Sequence, residues 1–272
     1  MKISEIMLYY PRNLIKWRDH MELLTSKVLD VCTGIGRLML ENGAETYRVE
    51  DTVYRVAVNY GMQGVSVFSV PSALIITVQG TTGEEYTRVH RVTEQNSNLE
   101  IIAEANDLSR QIASTDITPN EALTKIDQLN RMESSYSLFE EYLAAALVCG
   151  FFALIFSGTF FDLVAASIAG SIGYISFLYV KKLTNIRFFS ELLASILIGW
   201  TALFLTNIGI GQDINVIIIS SVMTLVPGKA ITNGIRDLMA NHFISGVSVI
   251  ADAFLTAAAI GIGISTVLSF IN

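Results

Sequence analysis

The sequence predicts an integral membrane protein, mainly α, in which an N-terminal cytosolic α+β domain (1–141) precedes a transmembrane domain of five helices (142–272). Three observations carry that reading. The 272 residues are 51% hydrophobic and only 16% charged, with a mean hydropathy of +0.49, whereas soluble domains carry about 25% charged residues. The charge is also lopsided. Thirteen of the 18 basic and 20 of the 25 acidic side chains fall in residues 1–141, and the remaining five of each balance across 142–272. That second half holds uncharged runs near the roughly 20 residues that cross a 30 Å hydrocarbon core as a helix. A single water-soluble globule is excluded, and two cysteines make no disulfide scaffold. A pI near 5.0 lacks the basic footprint of a nucleic-acid binder.

The first 20 residues carry charges throughout and lack the apolar core of a signal peptide, so the first half is expected to stay in the cytosol. A first helix reads from about Met21 to Glu41, with Leu24, Val28, Val31, Ile35 and Leu38 at helical spacing and Asn42-Gly43 as its stop. A second runs from about Glu45 to Asn59, with Val49, Val53, Val56 and Tyr60 on one face. The period then changes: VSVFSVP, ALIITVQ and EEYTRVHRV are β-rich, and Gly80–Gly83 makes a turn between the last two. Helix returns at about Asn98–Ser114. Thr118-Pro119-Asn120-Glu121 is a capping box with proline at the first helical position, opening a helix that continues through Leu123, Ile126 and Met132. The half has no phosphate loop, no GxSxG and no Cys/His pair, and His20, His90 and His242 share no ligand spacing. No metal and no cofactor is expected.

The apolar half divides into runs Leu143–Phe161, Leu163–Val180, Leu192–Gln212, Ile214–Gly228 and Ala253–Asn272, predicting spans at about 142–161, 163–180, 190–210, 214–230 and 249–271. Lys181, Lys182 and Arg187 lie in one connection, while those around Phe161–Asp162 and Asn207–Asp213 hold no basic residue. The positive-inside bias therefore puts the N-terminus in the cytosol and the C-terminus outside a cell (inner or plasma) membrane. Small residues crowd the second span (Ala165, Ala166, Ala169, Gly170, Gly173) and the fifth (Ala257–Ala259, Gly261, Gly263), marking faces that pack on protein rather than lipid.

Two constellations stand out. In GAETYRVED, Gly43–Asp51, the residues Glu45, Arg48, Thr52 and Arg55 share a helix face: either a solvated ladder of ion pairs or a charged face docked on a membrane loop or another subunit. In VPGKAITNGIRDLMANHFISG, Val226–Gly246, an apolar segment is cut by Pro227-Gly228, and Lys229, Thr232, Asn233, Arg236, Asp237, Asn241 and His242 follow. Ile214–Val226 makes only about 20 Å of helix. The segment is either an ordinary loop or a broken span, the kind that builds transporter sites from stranded backbone groups and half-helix ends. Asp252 and Glu191, near the ends of otherwise uncharged runs, are either proton or coupling sites or solvated interfacial acids.

The two motifs together resemble the threonine/serine exporter family, across essentially the whole chain and in the family's order. The resemblance implies a soluble domain followed by membrane spans, and a subunit of a secondary transporter exporting a threonine/serine-type amino acid or a succinate-like dicarboxylate. It further implies the larger component of a split form working with a smaller membrane subunit, or with further copies of itself. Pro227, Gly228, Asn233, Arg236 and Asp237 are then the substrate-binding candidates, and Glu45, Arg48 and Asp51 a motif for assembly or regulation. One departure stands near the last helix: the family's Arg, three residues before a Glu, is here Val249 before Asp252, so the cation is gone. The alternative is a membrane-anchored hydrolase-like or regulatory protein whose cytosolic domain carries the activity. Against it stand the missing nucleophile–base set and more spans than an anchor needs.

Overall fold

The computed structural model describes residues 12–80, 83–93, 96–132, 136–184 and 186–270, with side chains from residue 22 onwards. The N-terminal 11 residues, Thr81-Thr82 of the expected turn and the C-terminal Asn272 lie outside the described residues. Mainly helical, the chain divides into two compact units: residues 1–134 with 233–248, and residues 135–232 with 249–272.

The first unit is built from α1 (Arg12–Glu41), α2 (Thr46–Asn59), β1 (Gln63–Val70), β2 (Ala73–Gln79), β3 (Glu85–Arg91), α3 (Leu99–Ser114) and α4 (Pro119–Asn130). The three strands form an antiparallel sheet in the order β1-β2-β3. Alternation places Leu74, Ile76 and Val78 of the central strand inward, against a core of Val28, Val31, Ile35, Val49, Val53 and Val56 from α1 and α2. β3 reaches the same helix through a charge, Arg88 Nη1 lying 2.9 Å from Asp30 of α1.

The helix ends follow local rules. Gly43, at φ +80°, ends α1 as the left-handed residue of a Schellman turn, in which Ala44 N–H donates to Met39 and Gly43 N–H to Leu40. Asn98 caps α3, and the Thr118–Glu121 box opens α4 as expected. Two boundaries differ from the sequence reading. α1 starts at least nine residues before Met21, and α4 stops at Asn130 rather than passing Met132. A second capping box, Ser137 with Glu140, then starts the next helix.

The second unit contains α5 (Leu138–Ile155), α6 (Phe160–Thr184), α7 (Arg187–Asn207), α8 (Ile214–Ser221) and a 3₁₀ turn (Val222–Thr224). Two further helices, α9 (Gly228–Met239) and α10 (Phe243–Leu268), have residues in both units. Among the described residues, four helices (α5, α6, α7, α10) are long and apolar enough to cross a membrane. The segment Ile214–Thr224 with α9, bent by 61°, would make a fifth.

The first connection moves. The run read as unbroken to Phe161 turns at Ser157, which sits at φ +64°, and Thr159 restarts the chain as helix. Asp162, taken for a connecting residue, is instead the third residue of α6 and accepts from the N–H and hydroxyl of Thr159 at its start. Its other oxygen accepts from the N–H groups of Gln212 (2.7 Å) and Asp213 (3.0 Å), so one carboxylate, 1% exposed, ties together two connections.

Candidate functional site

The turn Gly43–Glu45 and the start of α2 form one wall of a polar cluster in the first unit. Glu45 sits at the N-cap of α2 yet makes no side-chain cap bond, which leaves the first N–H groups of that helix wanting an acceptor. Asp237 supplies it. Its Oδ1 accepts from Thr46 N–H at 3.2 Å and its Oδ2 from the Ser245 hydroxyl at 2.7 Å; the Thr46 and Ser245 hydroxyls also bond each other. With 1% of its surface exposed, Asp237 is a capping residue delivered from 191 positions away, and a carboxylate at a helix N-terminus also meets a favourable dipole.

The neighbours of Asp237 join in. Asn233 Nδ2 donates to the Gly43 carbonyl, and Arg236 Nη1 lies 2.7 Å from Glu45 Oε1. The second Glu45 oxygen takes Arg48 Nη1 at 3.1 Å, so two guanidiniums share one carboxylate. Burial pulls the Glu45 carboxyl up; the N–H at its own helix start, Arg236 and Arg48 outweigh that and hold it below the usual carboxylate range. The Arg236 side chain stays 55% exposed while Glu45 is 8% exposed, so the cation retains an open face. Further along, Glu50 Oε1 accepts from Ser69 N–H at 2.8 Å and Oε2 lies 3.6 Å from His242 Nδ1.

Local structure explains the presentation. α9 and α10 form a tight hairpin closed by Asn241 at φ +66°, with His242 N–H on the Asp237 carbonyl and Asn241 N–H on Leu238. A Cβ at Gly246 would strike Leu238 and the Gly234 carbonyl, so the close approach of the two helices here requires glycine at position 246. The hairpin holds Asn233, Arg236, Asp237, His242 and Ser245 towards α2.

The candidates named from sequence thus fall into three groups. Glu45, Arg48, Asn233, Arg236 and Asp237 come together in the first unit. Asp51 does not join them: it pairs with Arg55 at 2.6 Å, both well exposed, and Thr52 is buried in the core, so the supposed four-residue ladder is two separate local pairs. Pro227 and Gly228 lie at the helix break, where the Pro227 carbonyl accepts the first bond of α9 from Ile231 N–H. In the second unit, Glu191 of α7 and Asp252 of α10 are bridged by Arg187, with Nε 3.0 Å from Glu191 Oε1 and Nη1 2.6 Å from Asp252 Oδ2. The cation missing at position 249 is supplied from another helix. Thr46, Glu50, Ser245 and Arg187 were missed by the sequence reading; only the uncapped GAET start hinted that an acceptor must come from elsewhere. Among the described residues no group of three His, Cys, Asp or Glu could hold a metal ion.

Comparison with known proteins gives a consistent result. The family model described as "Putative threonine/serine exporter" matches residues 30–271. A "Probable threonine/serine exporter" of Mycobacterium tuberculosis is 24% identical over 248 residues, covering 89% of this chain and 46% of that protein. "Pheromone-regulated membrane protein 10" of Debaryomyces hansenii is 23% identical over 231 residues, covering 82% of this chain and 22% of that protein. The chain therefore spans less than half the length of these relatives. No solved structure matches.

Proposed function

The chain belongs to the threonine/serine exporter family, and from that premise we propose that it is a subunit of a secondary transporter that exports a small polar carboxylate across a cell membrane. The family is described as one of exporters, which supports a transporter over an enzyme, and four helices long and apolar enough to cross a membrane support a multi-pass membrane protein. The single observation that carries the reading is the break at Pro227-Gly228: two helical pieces meet at 61°, and the second carries Asn233, Arg236 and Asp237. A broken helix ends backbone hydrogen bonding where a polar solute can replace it.

In this reading Arg236 takes the substrate carboxylate through its exposed face, exchanging Glu45 for it, because a guanidinium binds a carboxylate bidentately and an ammonium does not. Asp237 acts as the positioning residue, its oxygens already committed to Thr46 and Ser245. Threonine or serine is the first substrate class, following the family. A succinate-like dicarboxylate is a second reading, favoured by the sharing of Glu45 between Arg236 and Arg48, which puts two cations beside one acid. We further propose a second membrane subunit as partner, supported by the exposed small residues Ala257 and Gly261 of α10, which would let another helix approach closely. The cytosolic placement of the first unit rests on the basic Lys181–Arg187 connection.

The test is efflux from liposomes holding this chain with and without its partner, using labelled threonine, serine and succinate. Arg236→Lys is expected to lose most of the flux at normal protein level and assembly. Wild-type efflux from that variant would remove Arg236 from the site. No flux of any of the three solutes in the complete assembly would overturn the transporter reading.

A further inference from the structure

Within the second unit, the Glu191 side chain is 3% exposed, against 40% for Arg187 and 36% for Asp252. One of its oxygens meets Arg187; the other, Oε2, is buried without a hydrogen-bond partner. The Thr256 hydroxyl of α10, also buried and unbonded by geometry, lies beside this carboxylate. An acid removed from water is stable as an anion only while a cation and hydrogen bonds hold it. Here the one cation is divided between two acids, and the second oxygen of the buried acid has only the Thr256 hydroxyl nearby.

We infer that Glu191 is the site at which this chain binds and releases the proton that drives its transport cycle, with Arg187 as the cation divided between Glu191 and Asp252. The inference rests on the transporter reading for the word "drives", and on geometry alone for the proton. A proton adds to Glu191 Oε2, forming a neutral carboxylic acid whose O–H can donate to Thr256 Oγ1. Arg187 then serves Asp252 alone, and the triad goes from net −1 to neutral. Release of the proton to the other face restores the anion and its pairing with Arg187. The choice of Glu191 over Asp252 follows from burial, since Asp252 has both water and Arg187 at hand. Other charges near these helices are few. α8 has none, and α6 ends in Lys181 and Lys182, the first of which lies over the Phe177 ring, 6.0 Å from its centre.

The experiment is an infrared pH titration of the full chain in lipid vesicles, following the carbonyl band of a protonated carboxylic acid, with solute flux measured in the same vesicles. A component of that band that grows as pH falls is expected in the wild type and missing from Glu191→Gln, so that the difference between the two spectra isolates it from the chain's other carboxyls. Its midpoint should rise in Arg187→Gln, which removes the cation, and fall in Asp252→Asn, which leaves Arg187 to Glu191 alone. Opposite shifts place the titrating acid between these two charges, and the flux measurement separates a coupling role from a structural one. Glu191→Gln should keep solute exchange while losing uphill export driven by a pH gradient. An unchanged band in Glu191→Gln, or no titrating band in the wild type, overturns the proposal. A titrating band in vesicles that move no solute overturns the transporter reading instead and leaves Glu191 as the proton site.

Discussion

The two units bury opposite kinds of side chain. The first packs Val28, Val31, Ile35, Val49, Leu74 and Ile76 at its centre. The second centres largely on Ala153, Ala165, Ala166, Ala169, Ala194 and Ala202 and turns Phe160, Leu197, Phe204 and Phe254 outward. The solvent explains the inversion. Water drives large apolar groups inward, roughly in proportion to the area they hide. Lipid tails offer no such drive, so helices associate through close contact, and small residues permit it. Gly170 would strike Cys149, and Gly173 would strike Ile198, if either carried a Cβ. The polar groups differ too. In the first unit both oxygens of the buried Asp237 are partnered at a helix start, whereas in the second the buried Glu191 keeps an unpaired oxygen.

Truncation separates the units most strongly. Ile35→Ala or Ile76→Ala, both fully buried, should cost about 2–5 kcal/mol of stability, read by urea unfolding of the detergent-solubilised chain. Phe204→Ala, on the outward face of α7, should stay within about 0.5 kcal/mol. Equal losses would erase the contrast.

Enlargement tests it from the other side. Gly173→Val should cost about 1–3 kcal/mol by overpacking against Ile198. Gly261→Ala on α10, where a Cβ meets nothing within 4 Å, should be neutral or gain up to about 1 kcal/mol from helix propensity. Thermal inactivation of both variants in the same lipid decides the matter, and similar midpoints would mean that α6–α7 packing is looser than described.

The polar cap gives a comparable but more local effect. Asp237→Ala leaves Thr46 N–H without its acceptor, for a loss of about 1–3 kcal/mol. Hydrogen exchange should quicken at the start of α2 and remain unchanged in α6 and α7.

Acid supplies the smallest signal. The Glu45 carboxyl is held below its ordinary value of 4.5, so the unfolded chain binds its proton first. The stabilisation is complete above about pH 4.5 and is lost as pH falls through the folded value. Stability measured against pH should slope there in the wild type and flatten in Glu45→Gln.

Elements set by neighbours in sequence were legible. Gly43 as a helix stop, the alternation of ALIITVQ, the Thr118–Glu121 box and the break at Pro227 each depend on a few adjacent residues. The turn at Ser157 was not, because hydropathy counts charges and that turn has none; the Thr159–Asp162 start, itself local, was hidden by the same count.

By itself the sequence determined the two solvents of this chain, its helices and strands, and the two motifs that mark its family, since composition and period act over one or two turns. Only the tertiary structure decided that those motifs form one cluster, with Arg236 on Glu45 across 191 residues, and that Arg187 serves Asp252 across 65. Charge pairing acts through space over a few ångströms, and spacing along the chain carries no record of which distant residue closes that gap.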